Sequence, residues 1–252
     1  MEETIQFKND EGEILAGTLH LPESPAVECV IFGHCFTCSR HTTVLRETAR
    51  KLTDRGIAAL RFDFSGNGQS EGDFINTAYT RHIGEMTPAR RFLAARGLSR
   101  FGLAGHSMGA AIAVLAALRM TDVVGVSAFS GRLGGLDPEA MFTHDQLSRL
   151  RETGRVTFQS RGRELALSNA FFEDASGYDI LEAVSALSAP LLIIHGDKDE
   201  IIPVWHAEAA KERNPRATLE IVHGADHMFS DAALREKVAD LAADWFRQRF
   251  DA

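Results

Sequence analysis

Short apolar runs alternate with amphipathic stretches along nearly the whole chain. Residues 5–7 and 15–21 predict two strands around an Asn9-Asp10-Glu11-Gly12 turn, and residues 27–32 a strand apolar on both faces. Val44, Leu45, Ala49 and Leu52 recur at helical spacing within 42–55, which Gly56 ends. A strand is predicted over 57–64 and a glycine-rich loop over 63–70. A helix is predicted over 80–96, with Pro88 expected to kink it or to open a new first turn. Beyond it the pattern predicts strands at 101–104, 123–129, 191–195 and 218–222, and helices at 108–119, 204–213 and 231–249. Repeated strand–helix units imply an α/β fold, a mostly parallel twisted sheet with helices on both faces. The N-terminal strands add an antiparallel pair.

Between 131 and 189 this rhythm breaks. A helical piece over 137–152, an alternating segment over 156–167 and a helix over 177–187 predict a small cap insertion, because insertions after a sheet strand lie over strand ends where ligands bind. With no internal repeat and no Pro/Ser-rich linker, residues 1–252 read as a single domain containing that cap.

Charge and composition narrow the partners. Hydrophobic residues make up 44% and charged residues 25%, as in ordinary soluble domains, and the formal charge of −8 offers no basic footprint for nucleic acid. The acidic, polar N-terminus lacks a signal core and no run is long enough to span a membrane, so a cytoplasmic protein with no membrane partner is expected. Cys29, Cys35 and Cys38 are too few and too clustered for a secreted disulfide framework. The Cys35-Phe36-Thr37-Cys38 spacing lacks a second ligand pair for zinc or a thioredoxin-like context, and reads as small side chains lining a loop. A free thiol there predicts sensitivity to oxidation or alkylation.

Candidate chemistry centres on Gly105-His106-Ser107-Met108-Gly109, between a predicted strand and a helix of small residues. A serine hydroxyl is a useful nucleophile only when held in the open beside a base, and a strained strand-to-helix turn holds it there. Asp197 and Asp199 follow the strand at 191–195, and His227 follows that at 218–222. Asp197, in the first turn after Gly196, is expected to cap its own loop. Asp226 adjoins His227 too closely to accept its Nδ1–H. Asp199 is favoured as the orienting acid, giving a Ser107–His227–Asp199 triad. Gly66, Gly68 and Gly72 match neither a P-loop nor G-x-G-x-x-G and read as a tight turn, and no metal-ligand spacing or cofactor motif is present.

These motifs, with His34-Cys35-Phe36, Asp63-Phe64-Ser65-Gly66-Asn67-Gly68-Gln69-Ser70 and Gly224-Ala225-Asp226-His227, resemble the α/β-hydrolase superfamily from end to end. Size and cap are similar to those of small bacterial carboxylesterases and cinnamoyl or feruloyl esterases. Residues 34–39 resemble the hydrolase half of fusions with an osmotically-induced-type peroxidase. The resemblance implies an α/β-hydrolase fold, a covalent acyl-enzyme, and an oxyanion hole from the N–H groups of Phe36 and Met108. Cys35 stands where that family usually has glycine. A small-molecule ester is the expected substrate, with Phe142, Phe158, Phe171 and Phe172 of the cap as candidate contacts. Thioester or amide hydrolysis on the same triad, a non-catalytic ligand-binding module, and a homodimer remain open.

Overall fold

The computed structural model describes residues 1–252. An antiparallel pair, β1 (Glu2–Lys8) and β2 (Ile14–His20), precedes β3 (Glu28–Gly33), α1 (Thr43–Thr53), β4 (Ala58–Phe62), α2 (Tyr79–Ala94), β5 (Arg100–His106), α3 (Met108–Ala117) and β6 (Val123–Phe129). The chain then leaves the sheet through α4 (Pro138–Met141), α5 (His144–Thr153), the hairpin β7 (Arg155–Ser160) and β8 (Arg163–Ser168), α6 (Asn169–Ser176) and α7 (Ile180–Ala186). It returns as β9 (Leu191–Gly196), α8 (Trp205–Arg213), β10 (Thr218–Val222) and α9 (Ala232–Asp251).

The main sheet has the order β1-β2-β4-β3-β5-β6-β9-β10, parallel from β4 onward. Both faces of the central strands are covered, which is why β3 beyond Glu28, β4 and β9 are buried along their length, whereas the edge strand β1 alternates exposed and buried residues. Along β3, Cys29 and Ile31 enter a core shared with α2, α3, α7 and α8, while Val30 and Phe32 enter a second core shared with α1 and α9. The order reverses at β3, which sends β4 to one side and β5 to the other. The carboxyl ends of β3 and β5 therefore flank a crevice, the place where open α/β sheets bind ligands.

Three local expectations change. Helix α2 runs through Pro88 without a break. The backbone bond lost is the one to the Gly84 carbonyl, and Gly84 is exposed, so water can replace the missing donor. The helical stretch at 137–152 divides at Phe142, because Thr143 starts α5 with a capping box: its hydroxyl accepts from the Gln146 N–H and its own N–H donates to Gln146 Oε1 at 3.0 Å. The helix expected from 177 starts at Ile180, where Asp179 accepts from the Glu182 N–H at 2.9 Å. No helix is long and apolar enough to cross a membrane.

Candidate active site

Ser107 stands between β5 and α3 at φ 58° and ψ −117°, a region L-residues rarely occupy. Three glycines let the turn close. A Cβ on Gly105 would overlap the Gly109 carbonyl, and one on Gly109 would overlap the Gly33 carbonyl. The first turn of α3 thus lies backbone to backbone against the end of β3. Ser107 N–H donates to the Phe129 carbonyl at 2.9 Å, and the Ser107 carbonyl accepts from Ala110 N–H at 3.1 Å and Arg132 N–H at 3.2 Å.

Fully buried His34 fixes the loop after β3. Its Nδ1–H donates to the Cys35 carbonyl at 2.7 Å and its Nε2 accepts the Phe64 N–H at 3.0 Å, a tautomer set by those partners. Burial pushes its pKa below the ordinary value and keeps it neutral. The carbonyl and N–H of one trans peptide point in opposite directions, so tethering Cys35 inward turns the Phe36 N–H outward. Neither the Phe36 nor the Met108 N–H has an acceptor within the protein.

The glycine-rich loop after β4 holds the other end of this segment. Buried Asp63 pairs with the Arg40 guanidinium and accepts the Arg40 N–H at 2.6 Å and the Gln69 N–H at 3.0 Å. A side chain on Gly68 would collide with that carboxylate.

Cys35 and Cys38 are not free side chains, as the sequence suggested, but a disulfide with Cα atoms 5.2 Å apart. A tight turn, in which Cys38 N–H donates to the Cys35 carbonyl at 3.1 Å, brings them within bridging range. The only free thiol is buried Cys29, whose pKa burial raises, so the expected alkylation at the loop has no target while the bridge is intact.

His227 Nδ1–H donates to Asp199 Oδ2 at 2.8 Å, which leaves Nε2 as an acceptor. Asp199 Oδ1 accepts from Ile201 N–H at 3.0 Å and Ile202 N–H at 2.8 Å, and His195 Nε2 lies 3.4 Å from Oδ2. Burial alone would raise the Asp199 pKa, but the hydrogen bonds from His195 and His227 outweigh it and hold the group ionised, well below the usual carboxylate range. His106, neutral because burial pushes its pKa down to about 3, donates Nε2–H to the His227 carbonyl at 2.7 Å. Asp197 does not cap its own loop: it accepts from Gly224 N–H at 2.7 Å and from His223 Nδ1–H at 3.0 Å. Asp226 accepts from Ser230 N–H.

Ser107, Met108, Phe36 and His227 line one cavity of about 530 Å³. No hydrogen bond joins the Ser107 hydroxyl to His227, and such bonds are commonly loose until substrate binds. Phe142, Phe158 and Phe171 form an aromatic wall, whereas Phe172 does not reach the cavity. It stands edge-on to Phe142 and Phe171, 6.0 and 5.2 Å between ring centroids, and backs that wall. Sequence reasoning passed over Tyr79, Arg132, Arg161 and Met228, which also line it. The position of Arg132, three residues beyond β6, was a usable signal, since strand ends converge on the crevice. Tyr79, at the start of α2, carries no such signal. Nowhere do three His, Cys, Asp or Glu side chains converge to hold a metal ion.

Known proteins share this architecture. The esterase domain of a Rhodothermus marinus protein superposes with a TM-score of 0.77 at 26% identity, covering 98% of each chain. Est1E of Butyrivibrio proteoclasticus, with ferulic acid bound, superposes at 0.85 with 20% identity over 98% of this chain and 100% of that one, a likeness of fold. A Mycobacterium tuberculosis protein with a provisional phosphoribosyl transferase name is 26% identical over 92% of this chain, which spans only 43% of that protein's length. The sequence model of the alpha/beta hydrolase family matches residues 30–241, from β3 into α9, and takes in the serine turn, the aspartate loop and the histidine loop. Built on that family's sheet and matched through every strand that carries the cavity, the chain belongs to the alpha/beta hydrolase family.

Proposed function

We propose that the protein is a serine esterase that cleaves small carboxylic esters through an acyl-enzyme. The observation carrying this reading is the chain of partners from Asp199 to His227, in one cavity with a serine at positive φ and two unused N–H groups. His227 Nε2 takes the proton of Ser107 as its hydroxyl attacks the ester carbonyl, and Asp199 supports the imidazolium. The N–H groups of Phe36 and Met108 hold the oxyanion. Each such donor is worth about 2.7–4 kcal/mol in the transition state. His227 then protonates the leaving alcohol and activates water to release the acid. In this reading the segment between β6 and β9 is a cap that supplies the aromatic wall.

The test is turnover of a p-nitrophenyl ester series together with labelling by a fluorophosphonate. Ser107→Ala is expected to fold normally, to lose turnover by at least about a thousandfold and to escape labelling. Labelling at another residue would overturn the assignment. A folded wild type that binds esters without cleaving them would favour the ligand-binding module.

A further inference from the structure

Most arginines with restricted exposure in this protein have a partner. Arg40 pairs with Asp63, Arg81 with Glu13, Arg235 with Glu47 and Arg247 with Glu28. Arg132 does not. Half-buried in the wall of the Ser107 cavity, its guanidinium makes no ion pair and no hydrogen bond, although a desolvated cation is costly when left uncompensated. Burial pulls its pKa below the ordinary value, while Asp137 and Asp199 favour its charge only from a distance.

A second orphan lines the same cavity. Tyr79 is 1% exposed, yet its hydroxyl has no hydrogen-bond partner, which is uncommon for a buried phenol. Both side chains line the Ser107 cavity, and the charge of Arg132 favours ionisation of the Tyr79 hydroxyl against the burial that raises its pKa. A guanidinium and a hydroxyl donor, both unused and lining one cavity, are complementary to a planar monoanion. The lining around them is mainly apolar and aromatic, and its only carboxylate besides is the exposed Glu200. The second cation, Arg161, is exposed on the turn between β7 and β8, where it donates to Cys38 Sγ at 3.2 Å. One desolvated positive charge against an apolar lining, the other cation being solvated, suits a carboxylate better than a phosphate dianion.

We infer that Arg132 and Tyr79 form a carboxylate subsite in the Ser107 cavity, so that the preferred substrates are esters bearing a free carboxylate at their non-reacting end. The inference rests on the esterase reading and names its substrate class. The net charge of −8 works against it at long range. Specificity would therefore reside in local pairing and show in the ratio between matched substrates rather than in fast capture.

The experiment compares each acid with its uncharged carboxamide. Monomethyl suberate and its amide place the group on the acyl side, and 4-acetoxybenzoate and 4-acetoxybenzamide place it on the alcohol side. Wild type is expected to prefer the acid of at least one pair by roughly 10- to 100-fold in kcat/KM, the size of a charge-assisted pair. That ratio should collapse toward one in Arg132→Gln, survive in part in Arg132→Lys and fall several-fold in Tyr79→Phe. Because the readout is a ratio within one variant, a general loss of activity cancels. Equal rates on acid and amide in a wild type that cleaves neutral esters would overturn the subsite, as would an undiminished acid preference in Arg132→Gln. Calorimetry of suberate binding to Ser107→Ala separates the two readings. Suberate binding to Ser107→Ala that is lost when Arg132→Gln is added, beside a wild type that cleaves none of the esters, retains the subsite and rejects the esterase.

Discussion

The carboxylate of Asp199 shows how one atom's partners constrain another's chemistry. Oδ1 accepts two backbone N–H groups and Oδ2 accepts the Nδ1–H of His227. In Asp199→Asn the amide oxygen must stay with Ile201 and Ile202, so the amide NH2 faces His227 and donates to Nδ1. The ring's proton then sits on Nε2, where it cannot accept one from Ser107. With the fold intact, kcat is expected to fall by about 10⁴-fold, as measured for the equivalent change in a serine protease, and stopped-flow ester hydrolysis beside a circular-dichroism melt checks both halves. A loss under tenfold would refute this route for the proton. At this scale, the sequence is most legible where geometry is local. The spacing of Gly105, Ser107 and Gly109 announces a strained turn because neighbouring backbone atoms leave no room for a Cβ. Arg132 and Tyr79 are illegible as a pair, because 53 positions of chain separate them and only folding brings them to one cavity. The Cys35–Cys38 bridge, too, depends on a turn that the spacing alone does not specify.

Among the elements, α2 carries a carboxylate into the core. Glu85 is 2% exposed and accepts Ser65 N–H at 3.2 Å, with Arg81 Nε 3.8 Å away. Burial raises its pKa from 4.5 to about 7, against the opposing effect of its hydrogen bonds from Ser65. A group raised in the folded state contributes full stability below its unfolded pKa and loses it as pH rises through the folded value. Glu85 therefore favours folding at pH 4.5 and below and becomes a burden by pH 8, a swing of about 3 kcal/mol. Glu85→Gln, which can still accept from Ser65, is expected to gain on wild type by about that amount between pH 4.5 and pH 8 in urea titrations. A difference independent of pH would contradict it. Helix and strand positions are read well where apolar period and turn residues agree, as at β6 and β10, whose ranges match the sequence reading residue for residue. Helix α6 escapes because eight residues with only Phe171 and Ala175 buried give too short a period to register.

Across the whole molecule, protonation pulls in opposite directions. His20, His82 and His106 are pushed down to about 3 and His206 to about 4, in each case chiefly by burial, and His34 is lowered for the same reason. Groups depressed in the folded state contribute stability above their unfolded pKa near 6.5 and lose it as pH falls toward the folded value. The four histidines lowered to about 3 or 4 oppose the single Glu85 term between pH 6.5 and 4.5, and His34 and His41 act in the same direction, so acidification is net destabilising, by roughly 4 kcal/mol per pH unit from those four. The urea midpoint should fall steadily from pH 7 to pH 5. A flat or rising midpoint would show that these rings become charged without unfolding. The fold class is legible because strand–helix alternation recurs along the chain, whereas the segment between β6 and β9 follows no such repeat and its aromatic contacts have to be seen in place. Residues Gly33, Gly105 and Gly109 separate these two kinds of information physically. Where backbone meets backbone, neighbouring side chains can be exchanged without shifting the atoms that touch. A substitution in the aromatic wall reshapes the cavity and leaves the serine turn in place, whereas a side chain gained at the glycine seam pushes the turn off the end of β3. The molecule is thus divided into a part that tolerates no added atom and a part whose shape can change.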